Sequence, residues 1–203
     1  MKTSNKFTLT RIILAPVFFI LFFLPEWLHL PAGSAGAVLS VCILIPLLAF
    51  AEFTDFLDGH FARKHNEVSD FGKMFDPFAD VFLHLSTFTC FVFAGYMPPV
   101  FYILILYREF SQNFLRMVAA KQGTAIAARK GGKLKTVMYV AACFVSLAQV
   151  ALVRSNLAEL WQLNMDAFYK AGLCLYALCV VLSYISFIDY LRHFGKVLRD
   201  AAR

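Results

Sequence analysis

Long apolar runs separated by short polar segments dominate the chain. Four stretches carry no Asp, Glu, Lys or Arg: 27–51, 81–107, 136–153 and 171–188. Each approaches or exceeds the roughly 18 apolar residues that mark a membrane-spanning helix. A shorter run, 12–25, reaches that length when its flanking residues are included. The pattern therefore predicts an all-α integral membrane protein.

The apolar run 81–107 contains a break. Gly95-Tyr96-Met97-Pro98-Pro99 interrupts it and is typical of a tight turn between two helices. Dividing the run there gives six transmembrane helices in a single domain, 1–203. We expect them at 9–29, 35–57, 76–96, 98–120, 134–153 and 168–190, with boundaries uncertain by about 2–4 residues. Pro77 would then lie in the first turn of the third span, where proline is well tolerated.

Lysines and arginines are concentrated on one side of these six spans. Of the 19 in the chain, only Arg154 and Lys170 fall in loops on the opposite side. By the positive-inside rule, both termini and the more basic loops face the cytoplasm.

Composition supports the same picture. The chain is 60 % hydrophobic, whereas a soluble domain is roughly 45–50 % apolar. We interpret the net charge of +6 as a topological signal and an attraction to anionic membrane lipids, and expect no nucleic-acid binding.

The loop between the second and third spans is flanked by aspartates. Residues 55–80 read D-x2-D-G-x2-A-R-x8-G-x3-D-x3-D. Spacings of three between Asp55 and Asp58 and of four between Asp76 and Asp80 place each pair on one helix face. Ionisable residues bordering apolar spans are costly and usually have a partner or a function. Four clustered carboxylates favour a hard cation, Mg²⁺ or Mn²⁺, and suffice for two ions that clamp a phosphoryl displacement.

The remaining motif positions predict a recess for a phosphate-bearing group. Gly59 and Ala62 keep one helix face small, and the planar fork of Arg63 suits bidentate contact with phosphate. Gly72 clears the facing helix in the same way. A single aspartate here would be an ordinary carboxylate at a helix end, but the eight positions together favour the functional interpretation. The histidines have no ligand spacing, and we expect no role for His60, His65 or His84.

Segment 55–80 resembles the signature of the CDP-alcohol phosphotransferases, membrane enzymes that displace CMP from a CDP-linked lipid or alcohol with a second alcohol. Every specified position is present. The resemblance implies a six-helix catalytic domain, usually homodimeric, with two Mg²⁺ or Mn²⁺ ions held by Asp55, Asp58, Asp76 and Asp80. It implies Asp80 as general base, although the sequence equally allows a purely ligating Asp80. Contacts to the CDP moiety would come from Asp58, Gly59, Ala62, Arg63 and Gly72.

Further segments resemble one branch of this family. They are N-K-F-T-L-T-R at 5–11, R-E-F at 108–110, A-A-K-Q-G at 119–123 and G-K-L-K-T at 132–136. That branch transfers the phosphatidyl group of CDP-diacylglycerol to sn-glycerol 3-phosphate, with the active site on the cytoplasmic face of the bacterial inner membrane. Val81 stands where the branch commonly has lysine. This departure leaves open a sister enzyme that uses inositol phosphate, serine, choline or phosphatidylglycerol as acceptor.

An anionic acceptor needs cations near the metals. Arg108 and Glu109 lie within the fourth span, where the cost of burial favours the bundle interior or a polar cavity. Arg116 shares their face, and we expect Arg108, Arg116, Lys133 and Lys135 to bind the acceptor phosphate. A third interpretation is a six-span transporter or metal-binding membrane protein without enzyme activity, which would more typically carry its ionisable residues at mid-membrane within an internal repeat.

Overall fold

A computed structural model describes residues 3–64, 70–123 and 130–201. Side chains are described throughout these ranges except at 3–5, 56, 58–64, 70–71, 73, 130–131 and 196–201.

Helices make up almost all of the described chain, and no strand occurs in these ranges. They are α1 (Thr3–Trp27), α2 (Ala35–Lys64), α3 (Asp70–Phe93), α4 (Pro99–Lys121), α5 (Lys130–Arg154), the single turn α6 (Leu157–Leu160) and α7 (Met165–Ala201). The predicted all-α class is confirmed, and each predicted span corresponds to one long helix. The short α6 was not predicted.

Four helices are long and apolar enough to cross a membrane. The qualifying segments are Lys6–Trp27, Ala35–Asp55, Gly132–Arg154 and Met165–Gly195. Within the described ranges α3 and α4 do not qualify. Both carry charged residues within the helix, such as Asp80 in α3 and Arg108 and Glu109 in α4. Large apolar side chains on the qualifying helices, such as Ile20, Ile43 and Val181, face outward. Such a surface suits lipid, and the chain is a membrane protein.

The turn predicted between the third and fourth spans is confirmed. α3 ends at Phe93 and α4 begins at Pro99. Gly95 adopts a positive φ of 80°, which glycine takes without steric cost. The N–H of Tyr96 then donates to the carbonyl of Phe91 at 2.8 Å, satisfying one of the last carbonyls of α3.

The start of α3 differs from the prediction. The helix begins at Asp70, so Pro77 lies inside it and not in its first turn. A proline within a helix costs about 3 kcal/mol because it removes a backbone hydrogen bond and crowds the preceding turn. Gly72 and Ala79 are both buried, so packing on either side of Pro77 offsets that cost.

Helix packing leaves a core in the middle of the bundle and a cavity toward one end. α1 packs against α2 and α3, α5 packs against α7 and α2, and α4 packs against α7 and α3. Aromatic rings fill the core, with Phe22 edge-on to Phe91 at 5.9 Å and Phe88 edge-on to Tyr139 at 5.4 Å between ring centres. Beyond Tyr139 the apolar core gives way to charged side chains.

Candidate active site

A cavity of about 530 Å³ lies among α2, α3, α4, α5 and α7. One wall carries carboxylates from α2 and α3, namely Asp55, Asp76 and Asp80. The opposite wall, from α4 and α5, carries Arg108, Glu109, Arg116, Lys133 and Lys135. An acidic wall therefore faces a mainly basic wall across one space.

The cavity brings together three of the four predicted metal aspartates and all four predicted acceptor cations. The side chains of Asp58, Gly59, Ala62 and Arg63 lie outside the described residues, so their predicted roles stay predictions. Gly72 is buried in the first turn of α3 and does not line the cavity.

Arg11 lies between the two helices that carry the motif. Its side chain is fully buried, and Nη1 donates to Oδ1 of Asp55 at 2.6 Å and to Oδ1 of Asp80. Arg11 reaches both because α1 packs against α2 and α3. A positive charge thus already bridges the carboxylates of α2 and α3.

Thr8 holds the third aspartate. Its hydroxyl donates to Oδ1 of Asp76 at 2.6 Å, and a spacing of three places Thr8 and Arg11 on one face of α1. Both lie in the N-K-F-T-L-T-R segment at 5–11, where no individual role was predicted for them. Their helical spacing was the signal that could have predicted a common role at the motif aspartates.

The carboxylates fit a hard divalent cation in chemistry but not in their present arrangement. Among the side chains that the structure describes, no three His, Cys, Asp or Glu converge closely enough to hold an ion. Arg11 lies between Asp55 and Asp80, and Thr8 restrains Asp76. The donors are nonetheless all oxygen, as Mg²⁺ and Mn²⁺ prefer, and the bridging guanidinium marks the place as one where positive charge is stabilised.

On the basic wall, two of the four predicted acceptor cations, Arg108 and Lys135, form ion pairs with Glu109. Arg108 Nη1 donates to Glu109 Oε2 at 2.9 Å, and Lys135 Nζ donates to Glu109 Oε1 at 2.9 Å. The Tyr139 hydroxyl donates to the same Oε1 at 3.0 Å. Arg108 is further bound by the Ser183 carbonyl at 2.9 Å. Arg108 and Lys135 are therefore oriented by protein groups and contribute one net positive charge with Glu109.

Arg116 and Lys133 differ from that pair, because neither has an acidic partner among the described residues. The Nε–H of Arg116 is buried and donates to no acceptor in the described part of the chain. Its guanidinium lies 5.9 Å from the ring centre of Tyr190, which closes the cavity from α7. These two cations are available to an anion entering the cavity.

His84 also lines the cavity, although its position in the sequence predicted no role for it. It lies one turn after Asp80, and Nδ1 donates to the Asp80 backbone carbonyl at 2.8 Å. Its Nε2 lies 3.2 Å from Oε1 of Glu52, which precedes Asp55 by one turn of α2. Both residues stand one helical turn from the motif, a signal that a search for ligand spacing alone passes over.

Comparison with known proteins agrees with this site. Residues 1–182 match the family model for CDP-alcohol phosphatidyltransferase. The chain belongs to the CDP-alcohol phosphatidyltransferase family. The resemblance predicted from segment 55–80 is thus confirmed across nearly the whole chain.

Curated members of the CDP-alcohol phosphatidyltransferase family resemble the chain over most of its length. A CDP-diacylglycerol--glycerol-3-phosphate 3-phosphatidyltransferase of Treponema pallidum is 40% identical over 98% of this chain and 92% of its own length. Proteins of the same name are 38% identical in Bacillus subtilis, over 65% of this chain and 69% of the relative, and 31% identical in Mycoplasma genitalium, over 93% and 82%. The matched family region ends at 182, so Tyr190 reaches the cavity from beyond it.

Proposed function

We propose that this protein transfers the phosphatidyl group of CDP-diacylglycerol to sn-glycerol 3-phosphate, forming phosphatidylglycerophosphate and releasing CMP. The observation that carries the proposal is the cavity in which three motif aspartates face Arg116 and Lys133. The shared name of the relatives supports the same donor and acceptor. In the reaction, an oxygen–phosphorus bond to the acceptor forms as the bond to CMP breaks.

The acidic wall would serve the donor. Asp55, Asp76 and Asp80, together with Asp58, would hold two Mg²⁺ or Mn²⁺ ions. Bound there, the ions would supply charge neutralisation of the pyrophosphate and of the leaving CMP. Ion binding would require Arg11 to exchange its contacts with Asp55 and Asp80.

Asp80 would receive the proton of the acceptor hydroxyl. Its carboxylate lines the cavity, as a general base must to reach the attacking oxygen. A purely ligating Asp80 would leave that proton to another acceptor. Gly59, Ala62 and Arg63 retain their proposed contacts with the CDP moiety from the family resemblance, whereas Gly72 is buried and lies outside the cavity lining.

The basic wall would serve the acceptor phosphate. Among the described residues, Arg116 and Lys133 supply positive charge without an acidic partner, and the group of Glu109, Arg108 and Lys135 adds one net positive charge. An acceptor without phosphate would leave the buried Nε of Arg116 without a partner, which is costly, and the cation choline would be repelled. Inositol phosphate meets the same charge requirement and is the second candidate acceptor.

The fold supports a six-span arrangement with both termini in the cytoplasm. α3 and α4 have 24 and 23 residues, or about 35 Å of helix, which exceeds the roughly 30 Å of a bilayer core. Their charged groups line the cavity and need not meet lipid. The lysine and arginine asymmetry supports a position of the cavity at the cytoplasmic face of the inner membrane. We further propose a single catalytic domain that forms a homodimer among membrane lipids.

A labelled-acceptor assay tests the proposal. Purified protein would receive CDP-diacylglycerol and Mg²⁺ with glycerol 3-phosphate, inositol phosphate, serine, choline or phosphatidylglycerol. Among these acceptors, we expect only glycerol 3-phosphate to cause CMP release. This release should be lost when the metal is chelated and in the Asp80→Asn variant. Asp166→Asn is the matched control, because Asp166 is exposed at the start of α7 and, among the described residues, forms its ion pair with Lys170. Release with another acceptor would identify a sister enzyme, and none with any acceptor would favour a non-enzymatic protein.

A further inference from the structure

A second polar pair lies beneath the motif aspartates. Glu52 of α2 and His84 of α3 approach within 3.2 Å, and their side chains are 16% and 5% exposed. The facing atoms, Oε1 and Nε2, are buried and have no other partner among the described residues. Ionisable groups at such depth in a membrane protein are expensive and usually functional.

The geometry fixes the state of the imidazole. A backbone carbonyl only accepts hydrogen bonds, so Nδ1 of His84 must carry the proton donated to Asp80. Nε2 then faces Oε1 of Glu52 at 3.2 Å, so contacts on both sides of the ring set its orientation.

The pair touches both halves of the site. Through Nδ1, His84 restrains the turn of α3 that carries Asp80. On its other side the ring lies edge-on to Tyr139 at 5.7 Å between centres, and Tyr139 donates to Glu109. A chain of contacts therefore runs from α2 through α3 to the group that orients Arg108 and Lys135.

Glu52 would otherwise compete with the motif. It stands one turn before Asp55 on α2, and without His84 its carboxylate would be a fourth described acid beside Asp55, Asp76 and Asp80. Its 3.2 Å contact with His84 holds the Glu52 carboxyl toward the imidazole and leaves the motif aspartates as the acids available to an ion.

We propose that His84, held by Glu52, is a positioning residue for phosphatidyl transfer. It fixes the turn of α3 that presents Asp80 and keeps Glu52 apart from the metal-binding carboxylates. The inference rests on the proposed function and adds to it a pair of residues outside the motif.

Four variants test this role, each measured for thermal stability, for kcat and KM with glycerol 3-phosphate, and for Mn²⁺ affinity by the electron paramagnetic resonance signal of free Mn²⁺. They are His84→Leu, Glu52→Leu, the double variant and Glu52→Gln. The matched control is Tyr176→Phe, because Tyr176 shares a buried 2.6 Å hydrogen bond with Ser146 between α5 and α7, away from the cavity.

We expect His84→Leu and Glu52→Leu each to lower kcat and Mn²⁺ affinity by about tenfold or more, as loss of groups that orient metal ligands does. The KM should stay within about twofold, since the described contacts join neither residue to Arg116 or Lys133. The double variant should be no worse than His84→Leu, because the residues act as one unit. Glu52→Gln should retain most activity, since its amide can donate to Nε2.

Variants with kcat and Mn²⁺ affinity within twofold of the parent protein would overturn the proposal. So would losses that only follow thermal stability, as expected for Tyr176→Phe. If His84→Leu does not fold, the contrast between Glu52→Leu and Glu52→Gln decides the question. Failure of the parent protein to release CMP would instead count against the proposed function, and the Mn²⁺ affinities would still test the positioning role.

Discussion

At the scale of single residues, pairing decides which charges a ligand can use. The sequence offered Arg108, Arg116, Lys133 and Lys135 as equivalent cations. In the structure Arg108 and Lys135 form ion pairs with Glu109. Arg116 keeps a buried Nε without a partner among the described residues.

Replacing Arg116 by Gln should therefore raise the KM for glycerol 3-phosphate. A charge-assisted hydrogen bond contributes about 1.5–3 kcal/mol, which corresponds to a rise of roughly tenfold to one hundredfold. Steady-state kinetics at varied acceptor concentration measures the change, and kcat should fall far less. Arg192→Gln is the control, because Arg192 is exposed on α7 and does not line the cavity. Equal KM values in the two variants would show that Arg116 does not bind the acceptor.

Local spacing predicted the aspartates well, because Asp55 and Asp58, or Asp76 and Asp80, are set by a single turn of helix. Their partners could not be predicted in that way. Arg11 reaches Asp80 across 69 positions and Lys135 reaches Glu109 across 26. Such pairs depend on how helices pack, and a single sequence does not encode that arrangement in any local pattern.

At the scale of helices, α1 packs against both α2 and α3 and links them through polar side chains. Its residues Thr8 and Arg11 bind carboxylates from both neighbours. Arg154 plays a similar part toward the opposite end of the bundle, where it donates to the Phe22 carbonyl at 2.6 Å and to Ser40 at 3.2 Å. The two arginines thus tie helices together at opposite ends, and only Arg11 does so through carboxylates that an ion would bind.

Because of this difference, we expect Mg²⁺ to restore stability to a variant at Arg11 but not to a variant at Arg154. Arg11→Met should lose about 2 kcal/mol of stability, below the cost of a fully buried broken ion pair because Asp55 and Asp80 are partly exposed. Saturating Mg²⁺ should restore much of that loss, since the ion supplies the missing charge and no longer competes with a guanidinium. Arg154→Met should be destabilised with or without Mg²⁺. Thermal unfolding in detergent micelles measures both, and equal Mg²⁺ responses would contradict the prediction.

Apolar runs located every long helix but not all of the ends. α3 starts at Asp70, and its first turns are helical although they are polar. An apolar run therefore does not mark where this helix begins. α7 continues to Ala201, 37 residues in all and about 55 Å, because a helix need not stop where an apolar stretch does. The turn α6 follows Asn156, whose φ is 61°, and such a local conformation leaves no periodic trace in the sequence.

At the scale of the whole molecule, α3 and α4 decide the topology. They carry much of the site, and within the described ranges neither is among the four helices apolar enough to qualify as a membrane span. If they cross the membrane, the turn between them faces the side opposite to the termini. If they do not, that turn lies on the same side as the termini.

Labelling of single cysteines separates these arrangements. In a variant without the five native cysteines, Pro99→Cys should react with a membrane-impermeant maleimide added to intact cells, because Pro99 is exposed in that turn. Glu159→Cys should also react, whereas Arg192→Cys should react only after the membrane is permeabilised. Protection of Pro99→Cys together with Arg192→Cys would rule out six spans.

The cavity lies where the apolar core gives way to charged side chains, and under the proposed function this position has a kinetic consequence. The donor reaches it by diffusion within a two-dimensional sheet, so its effective concentration is a mole fraction among neighbouring lipids. The acceptor arrives from bulk solution and counts as a molarity. Diluting a suspension of vesicles would therefore starve the enzyme of one substrate and leave the supply of the other unchanged.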